Sequence, residues 1–434
     1  MNARLGAILR SRFARSAVTL GGGTALGQAL VFAATPLWTR LYGPDAMAML
    51  GLFLAFVGMA TVALSLRYDL AIVVARSEAD AGTLLVLNLA MLPFTSGVAA
   101  AAFALVCHLG AGGYRAFPGW AAFALWILLA MTGAFTSLRF WCVRQGEFGA
   151  ISRGLVQQGA ARAVAPLLAA LATSTWVGLL AGEFAGRILG VRRLFVRASG
   201  AIRSAAAGID GKVARRCLRT YRQFPLLHLP SSLVDAVGGG LPMPLFASAY
   251  GASSGGQFFL AYRVVLAPAT LVSAAVADVY HHRIVEAARG GGGNCRREVL
   301  TGGAYLLLAG LAIYLPVAVV APFAAPWVFG AGWTQTGWAI TGLVPAAISG
   351  TVTNPLSRAI SLSSVPQAKW VADVVRFGLP LAAILACSSL GTSFVAAVAW
   401  FAAATAVGDL AYFLVILYSV APHRLRALTD AEGA

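Results

Sequence analysis

Long apolar runs, each separated from the next by a short polar segment, dominate the chain from Ala17 onwards. Most runs are close to the 20 or so residues that an α-helix needs to cross about 30 Å of hydrocarbon. The run at 46–66 shows no alternation of apolar and polar positions, which the strands of a membrane β-barrel would have. The pattern therefore predicts an all-α integral membrane protein with about twelve transmembrane helices, at 17–38, 46–66, 81–107, 118–138, 154–173, 176–191, 225–249, 256–279, 299–320, 335–356, 369–388 and 393–419.

The amino-acid composition excludes an ordinary soluble domain. Of the 434 residues, 59% are hydrophobic and only 11% are charged, and the mean hydropathy is +0.80. A soluble domain carries about 25% charged residues because its surface must stay solvated. The first apolar run, 17–38, is longer than the core of a cleaved signal peptide and more spans follow it, so we expect it to be an uncleaved first span.

The basic residues predict the orientation of the helices. Of the 32 Lys and Arg residues, only Arg40 and Arg115 lie in the loops that follow odd-numbered spans. The positive-inside rule therefore places both termini in the cytoplasm. The net charge of +17 is accounted for by this asymmetry, so it implies anionic lipid headgroups as neighbours and no nucleic acid.

A repeated sequence pattern indicates that the chain contains two related halves. Pro-Leu-aromatic, three residues, and then Tyr-Gly occur at 36–43 and again at 244–251, and Gly-x-Phe follows at 51–53 and 256–258. Six spans separate the copies, so the halves form a parallel repeat. The predicted organisation is a six-helix bundle at 1–191, a basic cytoplasmic linker at 192–224, a second six-helix bundle at 225–419 and a cytoplasmic tail at 420–434.

The basic linker allows two interpretations. It could be a docking site for acidic lipid or a cytoplasmic partner, or it could be a solvated segment that obeys the positive-inside rule. The second is favoured because it needs no partner.

Charged residues inside the predicted spans are the main functional signal, because each costs roughly 2.5–3.5 kcal/mol at a helix centre. Arg162 forms a polar stripe with Gln158, one helical turn earlier. Arg263 has no acidic residue within one turn. Two other arginines have an acid at helical spacing on their own span, Arg187 with Glu183 and Arg376 with Asp373, the latter also near Lys369.

Two acidic residues lie in the second predicted half. Asp235 and Asp409 could each bind a coupling proton or cation, or could instead be the salt-bridge partner of an intramembrane arginine. After Asp235 the sequence reads Gly238-Gly239-Gly240 and then Pro242 and Pro244. This run weakens and kinks a helix, so it predicts that span seven is the moving element.

The sequence contains none of the usual catalytic motifs. HExxH, GxSxG and P-loop patterns are absent, and the histidines and the five cysteines are scattered. These observations predict no enzyme activity, no metal site and no cofactor.

Several segments resemble bacterial polysaccharide biosynthesis flippases of the O-antigen type, which belong to the multidrug, oligosaccharidyl-lipid and polysaccharide (MOP) exporter superfamily. The resemblance rests on the order and spacing of segments rather than on one sharp motif, and it covers most of the chain. The segments are 37–44 (LWTRLYGP), 51–53 (GLF), 65–73 (SLRYDLAIV), 140–148 (FWCVRQGEF), 224–226 (FPL), 229–232 (LPSS), 241–242 (LP) and 262–268 (YRVVLAP).

The resemblance implies two bundles around a central cavity of a bacterial inner-membrane transporter that works by alternating access. The implied cargo is an undecaprenyl-pyrophosphate-linked oligosaccharide for O-antigen, capsule or exopolysaccharide, with membrane lipids and polysaccharide assembly machinery as further partners. Arginine donates paired hydrogen bonds to phosphate oxygens. The candidate pyrophosphate-binding residues are Arg263, Arg162, Arg376, Arg67 and Arg40; those for ion coupling or salt bridges are Asp235, Asp409, Glu183 and Arg187.

Two other functions stay open at this point. An ion-coupled multidrug exporter of the same fold would need carboxylates and aromatics in its cavity where a pyrophosphate carrier needs arginines. A membrane saccharide polymerase or ligase would be expected to have a large extracytoplasmic loop. The short outer loops predicted here disfavour the enzyme.

Overall fold

The computed structural model describes residues 12–289, 295–362 and 367–420, and within these ranges the chain is helical with no β-strand. This confirms the predicted all-α membrane fold. Arg4, Arg10 and the tail after residue 420 lie outside the described residues. The helices are α1 Arg12–Leu41, α2 Pro44–Thr61, α3 Tyr68–Val74, α4 Glu78–Leu109, α5 Trp120–Arg144, α6 Phe148–Ala169, α7 Trp176–Gly208, α8 Gly211–Thr220, α9 Leu229–Gly240, α10 Pro242–Tyr250, α11 Ala252–Arg289, α12 Cys295–Phe329, α13 Thr334–Leu356, α14 Gln367–Ser389 and α15 Phe394–Ser419.

Among the described residues, six helical segments are both long enough and apolar enough to cross a membrane by themselves: Pro44–Thr61, Glu78–Leu109, Trp120–Arg144, Cys295–Phe329, Val371–Ser389 and Phe394–Ser419. The other predicted spans also fall on helices. The span predicted at 225–249 is divided into a π-helical turn at Phe224–His228, then α9 and α10. The predicted interruption of this span is confirmed, since α9 ends at Gly240 and α10 begins at Pro242, whose ring nitrogen carries no hydrogen-bond donor.

The chain divides into two compact units, Met1–Gly240 and Leu241–Ala434. The sequence placed the division in a solvated linker at 192–224, but this segment belongs to the first unit. There α7 continues to Gly208, and α8 follows after a short turn. Both ends of the segment place side chains in a buried cluster with α3, α4 and α5, and this burial explains why the segment belongs to the first unit. The side chains are Leu194, Ala198, Cys217, Tyr221 and Phe224.

Glycines bring α1, α6 and α7 of the first unit into close contact. A Cβ atom on Gly159 would lie 2.4 Å from the carbonyl oxygen of Gly27, and one on Gly186 would lie 2.5 Å from Cγ of Arg162. No side chain larger than hydrogen fits at these two crossings. Small residues let membrane helices approach until their backbones touch, and here they set the distance between α6 and α7.

Two aromatic residues of segment 37–44 also fix α1 to α6. The indole Nε1 of Trp38 donates to the carbonyl of Ala163 at 3.1 Å, and the hydroxyl of Tyr42 donates to the carbonyl of Pro166 at 2.7 Å. Both side chains are buried. Trp38 and Tyr42, which belong to a segment that resembles the polysaccharide flippases, therefore serve helix packing. In the second copy of the pattern, Phe246 instead stacks on Phe258 with ring centroids 4.2 Å apart.

Candidate functional site

A buried ion pair joins α6 to α7 in the first unit. Nε of Arg162 donates to Oε1 of Glu183 at 2.9 Å, and a second nitrogen of the guanidinium donates to the same oxygen. The Glu183 side chain is only 7% exposed. Glu183 lies at the α6 contact, where the absent side chain of Gly186 leaves space for Arg162, and it also attracts Arg187 on its own helix, so the predicted pairing with Arg187 stays a prediction.

Hydrogen-bond donors without an acceptor lie beside this ion pair. Nε of Arg187 and Nε2 of Gln158 are both buried and make no hydrogen bond within the described residues. A Cβ atom on Gly190 would lie 3.5 Å from that Gln158 nitrogen, so the amide lies against the turn that follows Arg187. With Arg162 and Glu183, the group holds two cations and one carboxylate, so one positive charge is left over. Buried donors of this kind call for a bound partner.

A second buried ion pair joins α14 to α15 in the second unit. Nε of Arg376 donates to Oδ1 of Asp409 at 2.7 Å, and another nitrogen donates to the side-chain oxygen of Asn354 at 2.6 Å. Oδ2 of Asp409 accepts from the hydroxyl of Ser349 at 2.7 Å. The guanidinium also lies 4.8 Å from the ring centre of Tyr412, a cation–π contact.

Asp373 and Lys369 lie at helical spacing from Arg376 on the same helix, and the structure forms the salt bridge of Arg376 with Asp409 on α15. The reason is the close crossing of α14 and α15, where a Cβ atom on Gly408 would lie 2.8 Å from Cα of Arg376. The sequence allows two roles for Asp409, ion coupling and a salt bridge. Here it forms the salt bridge, and the coupling role stays a prediction.

The two ion pairs occupy corresponding places in the two units. In each unit the arginine lies on the next-to-last long helix, α6 or α14, and the carboxylate lies on the last long helix, α7 or α15. The difference lies in the surroundings. Asn354, Ser349 and Tyr412 complete the contacts of the second pair, whereas donors without acceptors surround the first.

The other predicted site residues are distributed along both units. Nε of Arg67 donates to the hydroxyl of Ser232 on α9 at 3.0 Å, and Arg67 has a left-handed backbone with φ of 65°. Arg40 is exposed at the end of α1. Asp235 is exposed on α9, and Arg263 is half-buried in α11 of the second unit; neither is without an interaction.

The sequence reading missed Asp69 as a buried carboxylate. Its side chain is 3% exposed, and Oδ1 makes no hydrogen bond within the described residues. The second predicted span ended at Leu66, which assigned Asp69 to a cytoplasmic loop, but the structure folds 68–74 back as α3. The apolar residues at 70–74 were the signal that could have shown this.

A cavity lies beside the second ion pair. It has a volume of about 590 Å³ and is lined by α12, α13 and α15. Its only ionisable lining group is Asp409, beside Ser349, and the rest is mainly apolar. No group of three or more His, Cys, Asp and Glu side chains that could hold a metal ion occurs in the described part of the chain.

Comparisons with known proteins identify the fold. No protein-family model and no curated protein sequence matches the chain. Solved structures do match. A multidrug resistance MATE family transporter of the MOP superfamily, in an inward-facing conformation, has a TM-score of 0.63 and 15% identity over 90% of this chain and 93% of its own.

Two further solved structures have the same fold. The lipid II flippase MurJ, in an inward closed conformation, has a TM-score of 0.65 and 11% identity over 93% of this chain and 87% of its own. A MOP superfamily transporter from Pyrococcus furiosus, described by the reverse polarity of its binding pocket, has a TM-score of 0.56 and 15% identity over 95% and 96%. At these identities the likeness shows the fold alone, which is that of MOP-superfamily transporters.

Proposed function

We propose that the protein is a flippase that moves a pyrophosphate-linked lipid oligosaccharide across the bacterial inner membrane by alternating access. The observation that carries this proposal is the group of two cations and one carboxylate in the first unit, where Nε of Arg187 and Nε2 of Gln158 are buried and make no hydrogen bond within the described residues. The fold supports a transporter, and one of the proteins that share it is a flippase of lipid II.

The charge of the site favours an anionic cargo. Glu183 forms its salt bridge with Arg162 and also attracts Arg187, so one carboxylate serves two cations and the group keeps one excess positive charge. A pyrophosphate offers several negative oxygens, and hydrogen bonds from guanidinium to phosphate are stronger than those between neutral groups. In this proposal Arg187 and Gln158 bind the pyrophosphate and Arg162 orients them. Arg263, Arg376, Arg67 and Arg40 stay candidates for other stages of transport.

Binding of a lipid pyrophosphate tests this assignment. Removing the charge in Arg187→Ala should weaken binding of a short-chain polyprenyl pyrophosphate to the detergent-solubilised protein by about tenfold or more, as expected for loss of a charged hydrogen-bond donor. Arg187→Lys should recover only part of the loss, because an ammonium lacks the paired donors of arginine. Titration with a fluorescent analogue measures both.

Arg192→Ala is the matched control, because Arg192 is an exposed arginine of the same helix, α7. It should bind as the unchanged protein does. If Arg187→Ala also bound normally while eluting as a folded, monodisperse protein, Arg187 would not be the binding residue.

An ion-coupled exporter of organic cations is the second candidate, and Asp69 is the observation in its favour. The carboxylate of Asp69 is buried and Oδ1 makes no hydrogen bond within the described residues, so a bound organic cation would supply the missing partner. Such an exporter would move organic cations in a manner that depends on Asp69, and it would not move lipid pyrophosphates.

A further inference from the structure

Helix α8 is fixed to the first unit by one of its faces. The hydroxyl of Tyr221 donates to Oδ2 of Asp80 at 3.3 Å and accepts from the backbone N–H of Arg76 at 2.9 Å. Cys217 is buried and lies 3.8 Å from the Asp80 carbonyl oxygen, and Arg216 forms a salt bridge with Asp80 at 3.4 Å. At the start of the helix, Asp210 accepts from the backbone N–H of Val213 at 2.7 Å, an N-cap.

The opposite face of α8 is basic and exposed. Four basic residues spaced by three or four positions project on one side: Lys212, Arg215 and Arg219 on α8, and Arg222 in the turn that directly follows it. Within the described residues none of the four forms a salt bridge with a carboxylate, in contrast to Arg216. Asp210 is the only acidic residue between 192 and 222, so one carboxylate stands against nine basic residues in this segment.

Exposed apolar side chains flank this basic face along the chain. Leu226 and Leu227, directly after Arg222, are 66% and 68% exposed, and Phe195 and Val196 on α7 are also exposed. Large apolar side chains next to arginines are typical of the boundary between headgroups and acyl chains, where the apolar parts enter the bilayer and the charges stay at its surface. This arrangement favours a membrane surface over a soluble partner.

We infer that the basic face of α8, formed by Lys212, Arg215, Arg219 and Arg222, binds the anionic headgroups of phospholipids on the side of the membrane where α8 lies. The contact is electrostatic and adds to the attachment that Asp80 and Tyr221 provide from the other side of the helix. It should therefore weaken as salt screens the charges. The inference does not depend on the identity of the transported substrate.

The test compares binding of phosphatidylglycerol and phosphatidylcholine to the full-length protein. The protein in neutral detergent is titrated with fluorescent lipid in mixed micelles at low and at high salt. Phosphatidylglycerol should bind more tightly, and the preference should fall at high salt. The variant Lys212→Gln/Arg215→Gln/Arg219→Gln/Arg222→Gln should lose about tenfold or more of the affinity for phosphatidylglycerol, since each basic residue near an anionic surface contributes separately.

A matched variant removes the same charge elsewhere. Its positions, Arg153, Arg283, Arg296 and Arg297, are exposed arginines on α6, α11 and α12, and each becomes Gln. This control should stay within about twofold of the unchanged protein. Equal losses in both variants would mean that only net charge matters, and no loss in the α8 variant would remove the site; either result overturns the inference.

The double variant Arg215→Gln/Arg219→Gln guards against misfolding of the fourfold variant. It keeps half of the basic face and should show an intermediate loss, with an unchanged elution volume in size-exclusion chromatography. Tighter binding of an RNA oligonucleotide than of phosphatidylglycerol would show a nucleic-acid surface and would equally overturn the inference.

Discussion

At the scale of single residues, Arg162 and Arg376 show why helical spacing does not identify the salt-bridge partner of an arginine. Glu183 is four residues before Arg187 and Asp373 is three before Arg376, spacings that suit a pair on one helix. The structure uses acids on the neighbouring helix, Glu183 for Arg162 and Asp409 for Arg376. The sequence identified the arginines, but the partner depends on which helix faces reach contact, and single-chain spacing does not contain that information.

The Arg162–Glu183 pair makes a prediction about stability. Glu183→Gln leaves a guanidinium without its counter-charge and should lower the free energy of unfolding by about 3 kcal/mol, near the lower end for breaking a buried pair because Arg162 is partly exposed. Adding Arg162→Gln should recover most of this loss. Unfolding in detergent with increasing denaturant measures both variants.

The exposed Arg197–Glu147 pair is the control for these two variants. It is 3.6 Å long and lies between side chains that are 49% and 37% exposed, so Arg197→Gln should cost about 1 kcal/mol or less. A Glu183→Gln protein as stable as the unchanged one would contradict the structural role of the buried pair.

At the scale of secondary-structure elements, the length of the apolar runs predicted where the long helices lie. It failed for the segment after residue 191, whose structure depends on which of its side chains are buried. The Gly-Pro run after Asp235 predicted the interruption between α9 and α10 because glycine and proline act locally. The segment after residue 191 was read as solvated because its arginines dominate the composition. Its buried side chains, such as Cys217 and Tyr221, are spaced one turn apart and pass unnoticed among the charges.

The packing of α8 predicts how its cysteine reacts. Burial raises the pKa of the Cys217 thiol to about 11, and Asp80 adds to the rise while Arg216 opposes it. Because the thiolate is the reactive form, maleimide labelling should be slow at neutral pH and rise about tenfold per pH unit up to the pKa. A variant that keeps Cys217 as its single cysteine allows the rate to be measured.

Asp80→Ala is the partner variant for this labelling experiment. It removes the carboxylate that raises the thiol pKa and accepts the Tyr221 hydrogen bond, so labelling should be faster at every pH below 11. A rate for the single-cysteine protein that already levels off near pH 8.5, the ordinary thiol range, would show that α8 is not packed as described.

At the scale of the whole molecule, two units each hold an arginine–carboxylate pair across their last two long helices, and within the described residues the first pair has a second cation, Arg187, beside it. The class of fold followed from hydropathy, and the internal repeat from a short recurring pattern. The likeness to solved MOP-superfamily transporters agrees with that fold. The sequence could not show that Arg162, Arg187 and Glu183 form one group with an excess positive charge, because that depends on which residues are brought together by contacts between helices.

Translocation in reconstituted vesicles is the most direct test of the proposed function. A fluorescent polyprenyl-pyrophosphate saccharide in the outer leaflet is quenched by an impermeant reductant, so lipid moved to the inner leaflet stays protected. The unchanged protein should move the lipid, Arg192→Ala should match it, and Arg187→Ala should fall to the rate of protein-free vesicles. Unchanged translocation by Arg187→Ala, or transport of an organic cation that Asp69→Asn abolishes in vesicles that move no lipid, would contradict the account.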